Sequence, residues 1–214
     1  MSGETERNLR DTLVKYGTWL YNRGLAHGSS GNISVRLEDG SILISPTNSS
    51  LGDLDPERLS KLSPDGKLLS GDPPSKEYFF HLAIYQERTE AKAVVHLHST
   101  HSVAVACLCH DDFSNVLPPL TAYQIMRIGR LPLVPYFRPG DRDLAEAVRQ
   151  TAQETSAMML ANHGPIISAR SLREAAYASE ELEETAKIFF LVGGRKTSLL
   201  TCEEVKDIET ALAN

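Results

Sequence analysis

No stretch of this sequence approaches the ~20 consecutive apolar residues that a bilayer-spanning helix needs, so a membrane role is not expected. The opening segment, Met1 to Arg7, lacks a basic run followed by an apolar one. No secretory signal is therefore expected, and a cytoplasmic location follows by default. Positive charge is the scarcer sign: 22 Lys and Arg stand against 28 Asp and Glu, a formal net charge of −6. Binders of nucleic acid carry a basic patch that neutralises phosphates, so that partner is not expected either. Cysteine is limited to Cys107, Cys109 and Cys202. An odd number without C-x-x-C spacing argues against a disulfide framework or a thiolate metal site. Cys107 and Cys109 lie in an apolar stretch and are expected in the core. The phosphate-binding fingerprints G-x-x-x-x-G-K-S/T and G-x-G-x-x-G are absent, which removes the P-loop and Rossmann readings. No internal repeat, low-complexity tract or linker divides the chain. What is present is an ordinary globular composition, 41% hydrophobic and 23% charged. The 214 residues are expected to form one domain, 1–214, with a sizeable core.

Against this background four side chains able to ligate a metal are conspicuous. His96 and His98 end the run Ala93-Val-Val-His-Leu-His, whose β-branched start reads as a buried strand. Strand side chains alternate with period two, so both imidazoles are expected on one face. His163 follows the apolar run Met158 to Ala161, and Glu77 opens the segment before a helical pattern. Three imidazoles and a carboxylate suit zinc or a similar divalent ion. Spacing alone leaves two rivals open. His101 lies three residues beyond His98, and His81 lies one helical turn beyond Glu77 on the same face.

The surrounding pattern alternates helices and strands. An amphipathic helix is expected over 4–24, with Leu9, Leu13, Tyr16 and Leu20 on one stripe and Gly24 at its end. A strand at 33–37 turns at Asp39-Gly40 into Ile42-Leu-Ile44, and two short strands flank Pro64-Asp-Gly66. Ser75 is expected to cap a helix reaching about Arg88. The strand 93–98 follows, then helices at 100–109 and 120–129, a strand at 131–135, and a helix at 142–153 capped by Asp141. Strands at 157–161 and 165–168 flank His163, and a long helix covers 171–193. Thr201-Cys-Glu-Glu204 has the form of a capping box for a last helix. Because several strands are joined as hairpins, the fold class expected is α/β in an α+β arrangement. Its core is a mainly antiparallel sheet with helices packed on it.

Three small polar segments could hold an anion: Ser29-Ser-Gly-Asn32, Ser45-Pro-Thr-Asn48 and Pro74-Ser-Lys76. The last runs directly into Glu77, where free backbone N–H groups and Lys76 favour negative charge. Hydroxyls of Thr47 and Ser75 could add donors. A phosphorylated substrate anchored there would have its other oxygens near the metal ligands.

Together the segments Gly28–Arg36, Ile44–Thr47, Pro74–Glu77, Val94–His98 and Asn162–Gly164 resemble the class II aldolase/adducin family over nearly the whole chain. The resemblance implies an antiparallel sheet with flanking helices, assembled as a fourfold-symmetric homotetramer. It implies zinc held by His96, His98 and His163, with Glu77 as a further ligand and proton-transfer carboxylate. It assigns phosphate binding to Gly31, Asn32, Thr47, Asn48, Ser75 and Lys76. Imidazole and carboxylate also suit manganese and cobalt. The aldolase branch differs in having Gly where Asn48 stands and Ser where Lys76 stands. It also has a late tyrosine, whereas none follows Tyr177 here. The epimerase branch has Asp where Glu77 stands. The runs Leu117–Gln124 and Val134–Asp141 are most similar to the branch that decarboxylates 3-oxo-tetronate 4-phosphates to dihydroxyacetone phosphate. The expectation is therefore a metal-dependent decarboxylase of a phosphorylated sugar acid, with a zinc-dependent sugar-phosphate aldolase as the alternative. A non-catalytic adducin-like module would lack the metal ligands. Tyr123 matches an active-site tyrosine of the aldolases and is the second candidate proton donor after Glu77. Lys76, Arg127 and Arg138 are candidates for the substrate carboxylate.

Overall fold

The computed structural model describes residues 5–138 and 140–213. The expected helix start at position 4, Pro139 in the 134–141 run, and both ends of the span 1–214 lie outside the described residues. Among the described residues eight strands and seven α-helices follow one another. They are α1 (Glu6–Asn22), β1 (Asn32–Arg36), β2 (Ile42–Ile44), β3 (Ser60–Leu62), β4 (Leu68–Ser70), α2 (Tyr78–Glu87), β5 (Ala93–His96) and α3 (Thr100–Ala106). Then come α4 (Ala122–Arg127), β6 (Leu133–Val134), α5 (Asp143–Ala152), β7 (Ala157–Leu160), β8 (Gly164–Ala169), α6 (Leu172–Val192) and α7 (Cys202–Ala213). The strands form one sheet in the order β4-β3-β2-β1-β5-β8-β7-β6. Every pairing is antiparallel except β6 with β7. The architecture expected from the hairpin spacing is the one observed.

Period-two alternation splits the core into two layers. Ile33, Val35, Val95, Leu97 and Ile167 join the cluster under α1, α3 and α6. Val94, Met158, Leu160 and Ile166 face the other way, toward Phe80 and Ile84 of α2 and Leu144 and Val148 of α5. His96 has the parity of Val94 and so lies on the α2 side of the sheet. The register sets Asn32 opposite His96 on β1 and Ile166 opposite His96 on β8. The three central strands thus carry the candidate site. No helix among the described residues is long and apolar enough to cross a membrane.

Several local expectations are corrected. Ser75 does not cap α2, which begins at Tyr78 with Glu77 at its N-cap position. The Ser75 hydroxyl instead accepts the Glu77 N–H within the preceding turn, at 3.3 Å. The helix expected over 100–109 stops at Ala106. Ala106 gives its carbonyl to the Asn162 N–H at 2.9 Å, a bond across to the β7–β8 turn. Cys107 and Cys109 consequently fall beyond the helix and are exposed, not in the core. The strand expected over 131–135 shrinks to Leu133–Val134 at the sheet edge. The long helix expected over 171–193 forms as Leu172–Val192, and the capping box expected at Thr201 is present. Ser171 accepts from the Glu174 N–H, and Thr201 and Glu204 bond reciprocally in a capping box.

Candidate metal centre and phosphate pocket

Three separate pieces of backbone bring the four ligands together. Glu77 stands at the mouth of α2, His96 ends β5, and His98 continues the extended chain two residues on. His163 sits in the tight β7–β8 turn, closed by the Leu160–Gly164 pair. Asn162, just before it, takes a left-handed φ of 56°, which asparagine tolerates better than most residues. Gly164 allows the turn to pass under β5, since a Cβ there would lie 2.3 Å from the Leu97 carbonyl oxygen.

The donor atoms of Glu77, His96, His98 and His163 all lie within 4.8 Å of one another. His96 Nε2 is 3.0 Å from His98 Nε2. Glu77 Oε1 is 3.1 Å from His163 Nε2, and Glu77 Oε2 is 3.5 Å from His96 Nε2. A tetrahedron with bonds of about 2.0–2.1 Å has edges of about 3.3–3.4 Å, so these spacings fit one shared divalent ion. His96 donates its Nδ1–H to the Pro165 carbonyl at 2.9 Å, which turns the Nε2 lone pair toward the centre. Burial holds the His96 imidazole down to about 3, although Glu77 pulls the other way. Burial and His163 hold His98 down to about 4. For Glu77, burial raises the carboxyl pKa. His96, His163 and the Asn32 amide outweigh it and keep the group well below the usual carboxylate range. At neutral pH His96 and His98 are therefore neutral and Glu77 is anionic, the protonation state that metal binding requires of them.

Beside it lies a cavity of about 290 Å³, lined by all six residues expected to bind substrate: Gly31, Asn32, Thr47, Asn48, Ser75 and Lys76. Glu77 and His98 line it as well. Two distant segments are stitched together to make it. Thr47 N–H donates to the Pro73 carbonyl, and Ser75 N–H donates to the Ser45 carbonyl. Asn48 is held at a left-handed φ of 57° there. Lys76 is exposed at the rim and makes no ion pair among the described residues. Gly140 also lines the cavity, though no chemistry in its own side chain could have announced it.

Other expected residues go elsewhere. His101 bonds through Nδ1 to Glu183 at 2.8 Å and is not a ligand. His81 is fully buried and bonds to Asn32 and Ser34, one layer behind the metal cluster. Tyr123 lies on α4 with 62% of its surface exposed and is not among the residues lining the cavity. Arg127 and Arg138 do not line it either.

Residues 11–190 match the family described as the Class II Aldolase and Adducin N-terminal domain. A 3-oxo-tetronate 4-phosphate decarboxylase of Escherichia coli K12 is 49% identical over 97% of this chain and 98% of its own length. An L-fuculose phosphate aldolase from the same strain is 36% identical over 86% of this chain and 81% of its own. The crystal structure of YgbL from Escherichia coli superposes with a TM-score of 0.94 at 49% identity. It covers 96% of this chain and 99% of that one.

Proposed function

This chain belongs to the class II aldolase and adducin family, and from that premise we propose a cytoplasmic, homotetrameric, zinc-dependent decarboxylase. It converts a 3-oxo-tetronate 4-phosphate to dihydroxyacetone phosphate and carbon dioxide. The observation that carries this reading is the junction of an anion-binding cavity with a four-donor metal cluster, sharing Glu77 and His98. High identity to a decarboxylase over nearly the full length supports the same activity.

The substrate is a β-keto acid. Breaking its carboxyl–carbon bond leaves an electron pair that flows into the adjacent carbonyl, and the carbon must then gain a proton. A divalent ion held by Glu77, His96, His98 and His163 supplies Lewis-acid stabilisation of the negative charge that develops on oxygen. The chain's own residues do the rest. Backbone N–H groups around Gly31 and Asn48, with the hydroxyls of Thr47 and Ser75, hold the phosphate. Lys76 at the rim attracts the substrate's second anion, the carboxylate that leaves. Glu77 is ionised at rest. It therefore takes up a proton from solvent water before it delivers that proton to the carbon that lost carbon dioxide. Tyr123, outside the cavity of its own copy, serves as a donor only from a neighbouring subunit of the tetramer. Dilution below the assembly threshold then lowers specific activity.

The test is to incubate the zinc-loaded protein with 3-oxo-erythronate 4-phosphate and measure carbon dioxide and dihydroxyacetone phosphate together. Stoichiometric release of both, lost on chelation, is the expected result. Absence of carbon dioxide, with dihydroxyacetone phosphate formed from L-fuculose 1-phosphate, replaces the decarboxylase with an aldolase. Metal analysis of the purified protein separates zinc from manganese and cobalt.

A further inference from the structure

Behind the metal cluster, β1 and α2 run side by side with matched polar faces. Asn32, Ser34 and Arg36 point from the strand to the helix face carrying Glu77, His81 and Tyr85. The match has a geometric cause. Two strand residues rise about 6.6–6.8 Å and four helix residues rise about 6.0 Å, so the two rows stay in step over this length. Among the contacts is a continuous hydrogen-bonded chain. Asn32 Nδ2 lies 2.7 Å from Glu77 Oε2, and His81 Nε2 lies 2.5 Å from Asn32 Oδ1. Ser34 Oγ lies 2.8 Å from His81 Nδ1 and 2.8 Å from the Tyr85 hydroxyl. Asn32, Ser34, His81 and Tyr85 are all buried.

The direction of every bond follows from one end. An ionised carboxylate only accepts, so Asn32 must turn its NH₂ to Glu77 and its carbonyl to His81. His81 Nε2 must then carry the proton. A buried imidazole is neutral, its pKa held down by desolvation to about 3, so Nδ1 accepts from Ser34. Ser34 in turn accepts from Tyr85. A flipped Asn32 would set oxygen against the carboxylate and NH₂ against the His81 N–H, two unfavourable contacts at once. The amide also interrupts any proton wire, because Asn32 cannot pass a proton from His81 to Glu77. The chain transmits orientation, not protons.

We infer that His81 is a positioning residue that locks the Asn32 amide and, through it, aims the Glu77 carboxylate at the metal centre. This rests on the reading of Glu77 as a metal ligand. Groups that orient a ligand from behind are worth about 10–100-fold in metal affinity or activity. A His81 that served packing alone would affect stability and nothing else.

The experiment uses the full chain stripped of metal and titrated with Co²⁺, reading affinity and the visible absorption bands. It compares wild type with His81→Leu, His81→Phe and His81→Gln. Leu and Phe remove the N–H donor, and Phe retains a ring against Phe80, on which His81 stacks at 4.9 Å. Gln keeps a donor near the Nε2 position. For Leu and Phe the expected result is a Co²⁺ affinity about 10–100-fold weaker, altered bands, and a fall in kcat larger than any rise in KM. Gln is expected to recover affinity to within about fivefold of wild type. In the metal-free protein, the Asn32 side-chain amide protons should exchange slowly in wild type and fast in the Leu and Phe variants. Wild-type affinity and bands in a folded Leu or Phe variant would overturn the inference, as would unchanged Asn32 exchange. If wild type binds no Co²⁺, the ligand reading fails, and the amide exchange comparison still decides the part played by His81.

Discussion

Alanine at Gly31, with alanine at Gly28 as its control, separates backbone strain from mechanical contact with the metal strand. Both glycines lie in the same loop at positive φ, +77° and +54°. Alanine in the left-handed region costs about 1–2 kcal/mol at either position. They differ in what a Cβ meets. At Gly28 it meets nothing within 4 Å, whereas at Gly31 it lies 2.9 Å from the His96 carbonyl oxygen and 3.3 Å from Leu97 Cδ2. That carbonyl must retreat by about 0.3–0.5 Å to reach ordinary van der Waals distance. Overpacking adds about 1–3 kcal/mol. In a chain of this size 1 kcal/mol shifts Tm by about 2–4 °C. Gly28→Ala is then expected to lower Tm by about 2–8 °C and Gly31→Ala by about 4–20 °C. The larger difference is in metal binding. His96 and His98 flank the displaced carbonyl, so Co²⁺ affinity should fall about tenfold or more in Gly31→Ala and stay within about twofold in Gly28→Ala. Calorimetry and Co²⁺ titration measure both. Equal losses in the two variants would refute the claim that the Gly31 loop and the strand ending at His96 are in mechanical contact.

Other perturbations follow from the same geometry. Glu77→Gln can still accept from Asn32 and can donate to His163, so the metal-free Tm should move by only a few degrees. Metal affinity should nevertheless fall at least about 100-fold, roughly 2.7 kcal/mol, because an anionic ligand is lost; affinity within tenfold of wild type would remove Glu77 from the ligand set. Lys76→Ala should raise KM or lower kcat by at least about tenfold, and an unchanged kcat/KM would place the substrate carboxylate elsewhere. Acid should destabilise the metal-free protein in a defined window. His81, His96 and His98 have folded pKa values of about 3, 3 and 4, below the unfolded value of 6.5. The unfolded chain then binds more protons between pH 6.5 and those values, so their contribution is full above pH 6.5 and falls as pH drops, by up to about 1.4 kcal/mol per pH unit for each histidine. Denaturant unfolding across pH 4–7 that showed no such slope would contradict the buried neutral state.

What could be read in advance was what depends on short-range periodicity. The His96/His98 parity follows from strand alternation, and the capping box at Thr201 is a local signature. The hairpins at Gly40 and Gly66 announce an antiparallel sheet through turn chemistry. Convergence of Glu77 and His163 on that pair depends on pairing across β1, β5 and β8, which residue spacing does not contain and family resemblance supplied. His81 shows the limit most clearly. Helical spacing from Glu77 made it a rival ligand, yet one turn along α2 carries it deeper along β1, to Asn32 and Ser34. Cys107 and Cys109 were misplaced because apolar neighbours suggested a longer helix, while the bond from Asn162 to Ala106 marks where α3 ends.

The sheet order has a consequence for how the protein acquires its ion. Asn32 pairs with His96, and Ala93 pairs with Ala169, so the donors meet only after two long loops have closed. Before that, the chain offers an ion little more than the neighbouring pair His96 and His98. Binding is therefore selective for the native state, adding about 2.7 kcal/mol at a free-ion concentration of 100 Kd. Contacts completed this late act on the exit from the folded state: stopped-flow measurements should show the ion slowing unfolding and leaving the refolding rate nearly unchanged.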